Sequence, residues 1–187
     1  MNFSFQQKSL RIYPLPYVDF KVGPQHIFYI QRQIAQLKLN NPDFPDNKIR
    51  SVFERALVSM AFADIYDKED QFMKMEIKSF SYQKDFDFTH GNKRISLTSG
   101  RVNEKLEETG TKVKFRVAAR VLQSAKADHY VMAAIHMPNI HLIGWVTAED
   151  LASYVKGYSA SIYAGCDRIK PMFELAIENK RRKGIFV

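Results

Sequence analysis

A chain of 187 residues, 45% hydrophobic and 13% aromatic, is long and apolar enough for one domain with a real core, which excludes disorder as its default state. Its formal net charge of +8 favours a polyanionic partner, and nucleic acid is the commonest such partner of a soluble protein. The single Cys166 excludes an internal disulfide and a multi-cysteine zinc site, and fits a reducing compartment.

No apolar run approaches the ~20 residues of a membrane span. The first residues, Met1-Asn2-Phe3-Ser4-Phe5, lack the charged and apolar regions of a signal peptide. A cytoplasmic protein without membrane association is expected. Leu10 to Val22 alternates poorly and carries Pro14 and Pro16, so it reads as an edge strand or an extended arm. After Gly23-Pro24, the spacing of Ile27, Ile30, Ile34 and Leu37 predicts an amphipathic helix with His26 at the surface at its start. Asn40 to Pro45 is a loop, and Asp46 then caps a second helix with the stripe Ile49, Val52, Phe53, Ala56, Leu57 and Met60. Arg50 and Glu54, four apart on that helix, read either as a surface pair or as a site contact through Glu54.

Gln71 to Phe80 alternates with a period of two: Met73, Met75 and Ile77 on one face, Lys74, Glu76 and Lys78 on the other. That is the pattern of a strand with one apolar side, and on such a strand Glu76 and Lys78 project side by side. Glu76 can then ligate a hard cation while Lys78 holds a water or a phosphate oxygen. The acidic run Asp64 to Asp70 would form the preceding strand and turn, with Asp64 or Asp67 folded back towards Glu76.

Gly91-Asn92 predicts a turn leading into a strand over Lys93 to Thr98. Around it lie Lys84, His90, Lys93, Arg94 and Arg101, suited to phosphate contacts and supported by Ser96, Thr98 and Ser99, while Tyr82, Phe86 and Phe88 pack beneath or touch bases. Gly100 to Lys112 is polar and reads as a short helix or a connection. Lys112 to Leu122 alternates like a strand at first and then turns helical, and Lys112, Lys114, Arg116 and Arg120 make it the strongest basic stripe in the chain. Asp128 to Ile135 is a nearly continuous apolar run, the mark of a strand buried on both faces. Pro138-Asn139 turns it into a strand over Ile140 to Val146, with Trp145 in the core, and Thr147 caps a helix carrying Glu149 and Asp150 in its first turn. His129, His136 and His141 lack the spacing of a zinc site. The tail Glu178 to Lys183 is a basic cluster that reads either as added phosphate affinity or as a solvated end.

The helix with Glu54, the acidic segment 64 to 67, Glu76-Ile77-Lys78, Ala127-Asp128-His129-Tyr130-Val131 and Ile143-Gly144-Trp145-Val146-Thr147 together resemble the PD-(D/E)XK nuclease superfamily, in particular its small phage and bacterial members. The resemblance spans about positions 46 to 155. It departs from the family pattern in having Ala63, not proline, before Asp64. It implies an α/β (α+β) restriction-endonuclease-like fold, a central mixed β-sheet flanked by helices. Residues 1–187 would form one domain, with 1–45 an arm and helix, 46–155 the core and 156–187 a helical, basic segment. Glu76 and Asp64, or Asp67 in its place, would hold Mg2+ (Mn2+ as substitute), Lys78 would place the attacking water, and Glu54 would assist. The implied function is metal-dependent hydrolysis of DNA phosphodiester bonds in a bacterial or phage-infected cell, with a homodimer compatible with it. The alternatives are a non-catalytic DNA-binding or accessory protein of the same fold, and a phage structural or inhibitory protein that binds another protein.

Overall fold

The computed structural model describes residues 10–13, 15–81, 86–102, 113–124 and 126–175. In chain order its elements are β1 (Leu10–Tyr13), β2 (Leu15–Lys21), α1 (Pro24–Asn40), α2 (Asp46–Ile65), α3 (Glu69–Met73), a 3-10 turn at Ile77–Ser81, β3 (Phe88–His90) and β4 (Lys93–Arg101). There follow β5 (Lys114–Ala118), α4 (Ala119–Gln123), β6 (His129–His136), β7 (Asn139–Thr147), α5 (Ala148–Ala152), β8 (Val155–Lys156) and β9 (Ser159–Tyr163). Among the described residues the strands form a six-stranded sheet in the order β1-β2-β7-β6-β4-β3 and a three-stranded sheet in the order β5-β9-β8. β4 and β6 run parallel, with Ile95 opposite His129 and Arg101 opposite Ile135, while the other pairs are antiparallel. The protein is thus a mixed α+β fold on a mixed sheet. No helix among the described residues is long and apolar enough to cross a membrane.

The large sheet is the middle of three layers. Because side chains alternate across a strand, β6 sends Val131, Ala133 and Ile135 to one core and Tyr130, Met132 and Ala134 to the other. The first core is closed by α1, α2, α3 and the 3-10 turn, with Phe62 of α2 packed between the rings of Tyr66 and Phe88 at centroid distances of 4.8 and 5.0 Å. The second is closed by the small sheet and the short helices, through Phe115, Val117, Leu122, Leu151 and Ile162. This burial on both faces is why β6 reads as an unbroken apolar run rather than an alternating one.

β7 keeps the same two-sidedness only through a bulge. Met132 pairs with Gly144, but Ala133 pairs with Leu142, so Ile143 is an extra residue on β7 and the alternation restarts after it. At this point the chain crosses back: the Trp145 N–H donates to the Lys170 carbonyl at 2.9 Å and the Lys170 N–H to the Trp145 carbonyl at 2.8 Å. Only a residue without Cβ admits that approach, since a Cβ on Gly144 would lie 2.5 Å from the Lys170 carbonyl oxygen and from Ile169 Cγ2.

Helix α1 begins where Pro24 fixes φ in its first turn and buries Ile30, Ile34 and Leu37, as their spacing predicts. His26, expected at the surface, is instead buried against Phe20 with ring centroids 5.1 Å apart, and its Nδ1 accepts the Gly23 N–H at 2.9 Å. Burial lowers its pKa below the ordinary 6.5, which keeps the ring neutral and able to accept. The unfolded chain therefore takes up this proton first. Stability from His26 is full above pH 6.5 and is lost as pH falls through the lowered folded value. Urea midpoints across that range should fall for the native protein and fall less for His26→Gln, which keeps an acceptor but does not titrate; parallel curves would refute the assignment.

Two expected elements are corrected. The strand over 64 to 67 does not exist, because α2 runs on through Ile65 and ends in a Schellman-type cap. Asp67 there takes φ 53° and the Lys68 N–H donates to the Ala63 carbonyl at 2.7 Å. The strand over 71 to 80 does not exist either: it is α3 followed by the 3-10 turn. There the anchoring side chains are Phe72 and Phe80, while Met73 is 52% exposed. Serine hydroxyls close the turn, Ser79 Oγ donating to the Glu76 carbonyl at 2.6 Å and Ser81 Oγ to the Lys78 carbonyl at 2.8 Å. A third difference lies at 156 to 163, expected as part of a helical segment and found in the hairpin β8–β9 around Gly157.

Candidate nucleic-acid interface

Where α2, β4 and β5 converge they leave a cleft of about 180 Å³. Arg55 and Ser59, four apart and so on one face of α2, line one wall, with Asp87, Thr98 and Ser99 from the β3–β4 region and Arg116 from β5 opposite. Asp87 precedes β3 and is fastened to the neighbouring strand: its Oδ2 accepts the Leu97 N–H at 2.7 Å, and its own N–H donates to the Ile95 carbonyl at 2.7 Å. Its side chain is 2% exposed, and Oδ1 lies 3.7 Å from Arg55 Nη2. Burial pulls the Arg55 pKa down and the Asp87 charge opposes it, which leaves a guanidinium that is charged at any physiological pH. Thr98 Oγ1 donates to the Arg116 carbonyl at 3.2 Å and so ties β5 across β4. The Arg55 guanidinium offsets the Asp87 carboxylate, and Arg116 is the further cationic residue at the cleft's border.

Arg116 also faces outwards. Along β5, Phe115 and Val117 are buried while Lys114 and Arg116 are exposed, as strand alternation requires. These two cations border a second, larger groove of about 750 Å³ on the outer face of the small sheet, and no Asp or Glu belongs to its described lining. The basic surface thus continues from the cleft, through Arg116, over the three-stranded sheet.

The sequence-predicted site residues scatter. Asp64 is half-buried in the last turn of α2, Asp67 is the exposed left-handed residue after it, Glu76 is exposed in the connection before the 3-10 turn, and Lys78 is exposed within that turn. The strand geometry that would set Glu76 beside Lys78, and the hairpin that would return Asp64 to Glu76, are absent. Glu54 is taken up by two guanidiniums, accepting from Arg50 Nε at 3.0 Å and from Arg101 Nη2. Among the described residues no three His, Cys, Asp or Glu side chains group as a metal would need. Among the described residues the expected Asp64/Glu76 pair for Mg2+ therefore has no ligand group of three around it.

The basic residues fare differently. Lys114, Arg116 and Arg120 are exposed, Lys93 is half-buried, and Lys84 and Lys112 lie outside the described residues. Arg94 is engaged by Asp128, whose Oδ2 accepts its backbone N–H at 2.7 Å and its Nε at 3.2 Å. Partial burial raises the Asp128 carboxyl, but the hydrogen bonds and charge of Arg94, with Lys93 behind it, outweigh this and hold it below the usual range. Arg101 is likewise held by Glu54. Ser96 is fully buried and out of reach of a phosphate, whereas Thr98 and Ser99 do line the cleft. Arg55 and Asp87 were missed, although an arginine three residues after Val52 and four before Ser59 on a buried stripe, and an aspartate between Phe86 and Phe88, are both polar residues in apolar settings. Compared with protein-family models, with curated proteins and with solved structures, the chain finds no match in any of the three.

Proposed function

We propose that this protein binds nucleic acid through the phosphate backbone, as a non-catalytic DNA-binding or accessory protein rather than as a metal-dependent nuclease. The observation that carries the reading is the continuity of cations at β5: Lys114 and Arg116 point outwards from one strand, and Arg116 also borders the cleft that holds Arg55 and the hydroxyls of Ser59, Thr98 and Ser99. Guanidinium and ammonium donors along one surface, with the Ser99 hydroxyl beside them, suit phosphate oxygens, and the net charge of +8 supplies the long-range attraction. The order of a long helix, a β3–β4 hairpin and a strand β6 parallel to β4 is in keeping with a restriction-endonuclease-like architecture, so the reading retains that fold.

Each phosphate contact adds about 0.9 to the slope of log affinity against log salt on duplex DNA, so Lys114→Ala with Arg116→Ala is expected to flatten that slope by about 1.8. Anisotropy titrations at several salt concentrations measure it. An unchanged slope would move the interface away from β5. Incubation of duplex and single-stranded DNA with Mg2+ or Mn2+ is expected to leave both intact. Cleavage lost in Glu76→Ala would restore the nuclease reading.

A further inference from the structure

We propose that the outer face of the small sheet is a stacking platform for unpaired bases, so that the nucleic acid this protein prefers is single-stranded; this rests on the phosphate-binding reading and names its substrate class. The register places the relevant side chains on one face. Lys114 is opposite Tyr163, Arg116 opposite Ser161, and Lys156 opposite Ser159, while the intervening Phe115, Val117, Ala160 and Ile162 point into the core. Tyr163 is 50% exposed although its strand neighbours are buried, and Tyr158, at the β8–β9 turn, is 96% exposed.

A half-exposed Tyr163 among three cations, with Tyr158 almost wholly exposed at the adjoining turn, is poorly explained by stability, because Tyr163 buries only half of its surface and Tyr158 almost none. They suit a strand of nucleic acid whose bases are free. Such a strand offers a π-face at every base and a phosphate beside it, and recognition of this kind combines aromatic stacking with a basic groove. A duplex stacks its bases against one another and offers only the backbone to Lys114, Arg116 and Lys156. The Lys114 ammonium, 5.7 Å from the Tyr163 ring centroid, already holds a cation against that ring, and a base stacked on Tyr163 would have its phosphate within reach of the same lysine. No carboxylate belongs to the described lining of the groove; Asp167 lies outside it, against Cys166 at the end away from Lys156.

The test compares a labelled oligothymidylate with a duplex of the same length, each titrated with the whole protein. The native protein is expected to bind the single strand more tightly. Tyr163→Leu should weaken single-strand binding about tenfold and leave duplex binding unchanged, and Tyr163→Phe, which keeps the ring, should restore it. Circular dichroism checks the fold of each variant. Tyr158→Ser, at a position almost wholly in solvent, gives a second reading free of folding effects and should also weaken the single strand selectively. Equal affinity for the two DNAs, or tyrosine variants that bind as the native protein does, would overturn the platform and leave the phosphate-binding reading standing. Binding of neither DNA would overturn both.

Discussion

Replacing Asp87 by alanine is expected to destabilise the protein by about 3–5 kcal/mol, the range for breaking a buried charge pair by removing one partner. Two losses combine. The Leu97 N–H, which donates to Oδ2 at 2.7 Å inside the sheet, would lose its acceptor, and the largely buried Arg55 would lose the charge nearest it. Asp87→Asn keeps an acceptor for Leu97 and should cost less, roughly 1–3 kcal/mol. Adding Arg55→Met to Asp87→Asn removes the second charge as well, so the double variant should be more stable than Asp87→Ala. Urea denaturation measures all three, and at ~2–4 °C per kcal/mol for a chain of this size the alanine variant should melt on the order of 10 °C lower. A change within about 0.5 kcal/mol, typical of a surface substitution, would show that Asp87 does not anchor the β3–β4 hairpin.

Gly144→Val is expected to cost about 3 kcal/mol, at the upper end of the range for overpacking. Lys170 cannot retreat from the new side chain, because its carbonyl and N–H are both bonded to Trp145. Relief therefore means parting that bridge, or pushing β7 off β6 at its bulge. The only tryptophan reports the event directly: Trp145 is buried, with the Lys170 ammonium 4.8 Å from its ring centroid, so a shifted emission should accompany the lost stability. Gly157→Ala makes a useful contrast. No atom lies within 4 Å of a Cβ there, but φ is +62°, so its cost is backbone strain alone, about 1–2 kcal/mol. Equal effects at the two glycines would argue against the close approach at 144.

These residues also show what the sequence could and could not convey. The strands β6 and β7, the helix α1 and the change from strand to helix within 114 to 123 were legible, because in each the apolar spacing matches the burial. The region 64 to 80 was not. Ala56 to Ala63 is buried on every side, between α1, the 3-10 turn and the sheet, so α2 loses its helical period there and its end cannot be read from apolar spacing. Asp64 was consequently assigned to a new strand. The alternation of Met73, Met75 and Ile77 is a coincidence of composition, overruled by Phe72 and Phe80, which that alternation would set on the polar face with Lys74, Glu76 and Lys78 and which the fold buries. At the site, the β5 cations could be read from alternation alone. Their partners Arg55 and Asp87 could not, since only the packing of α2 against the β3–β4 hairpin brings them to the same cleft.

The small sheet has a bearing on how the molecule assembles. β5 lies between β4 and β6 in sequence, yet it pairs with β9, which follows β7, and the parallel β4–β6 pairing has β5 within its crossover. Contacts so distant along the chain form slowly, after the loops they close have been restricted by nearer pairings. The β6–β7 hairpin is such a nearer pairing, whereas the face formed by Lys114, Arg116 and Tyr163 exists only once both ends of the scaffold have met. A ligand seated there recognises the finished molecule and no earlier stage, so it should raise the unfolding midpoint in proportion to the logarithm of its concentration once saturating. Occupancy of that face would then serve as a measure of completed folding.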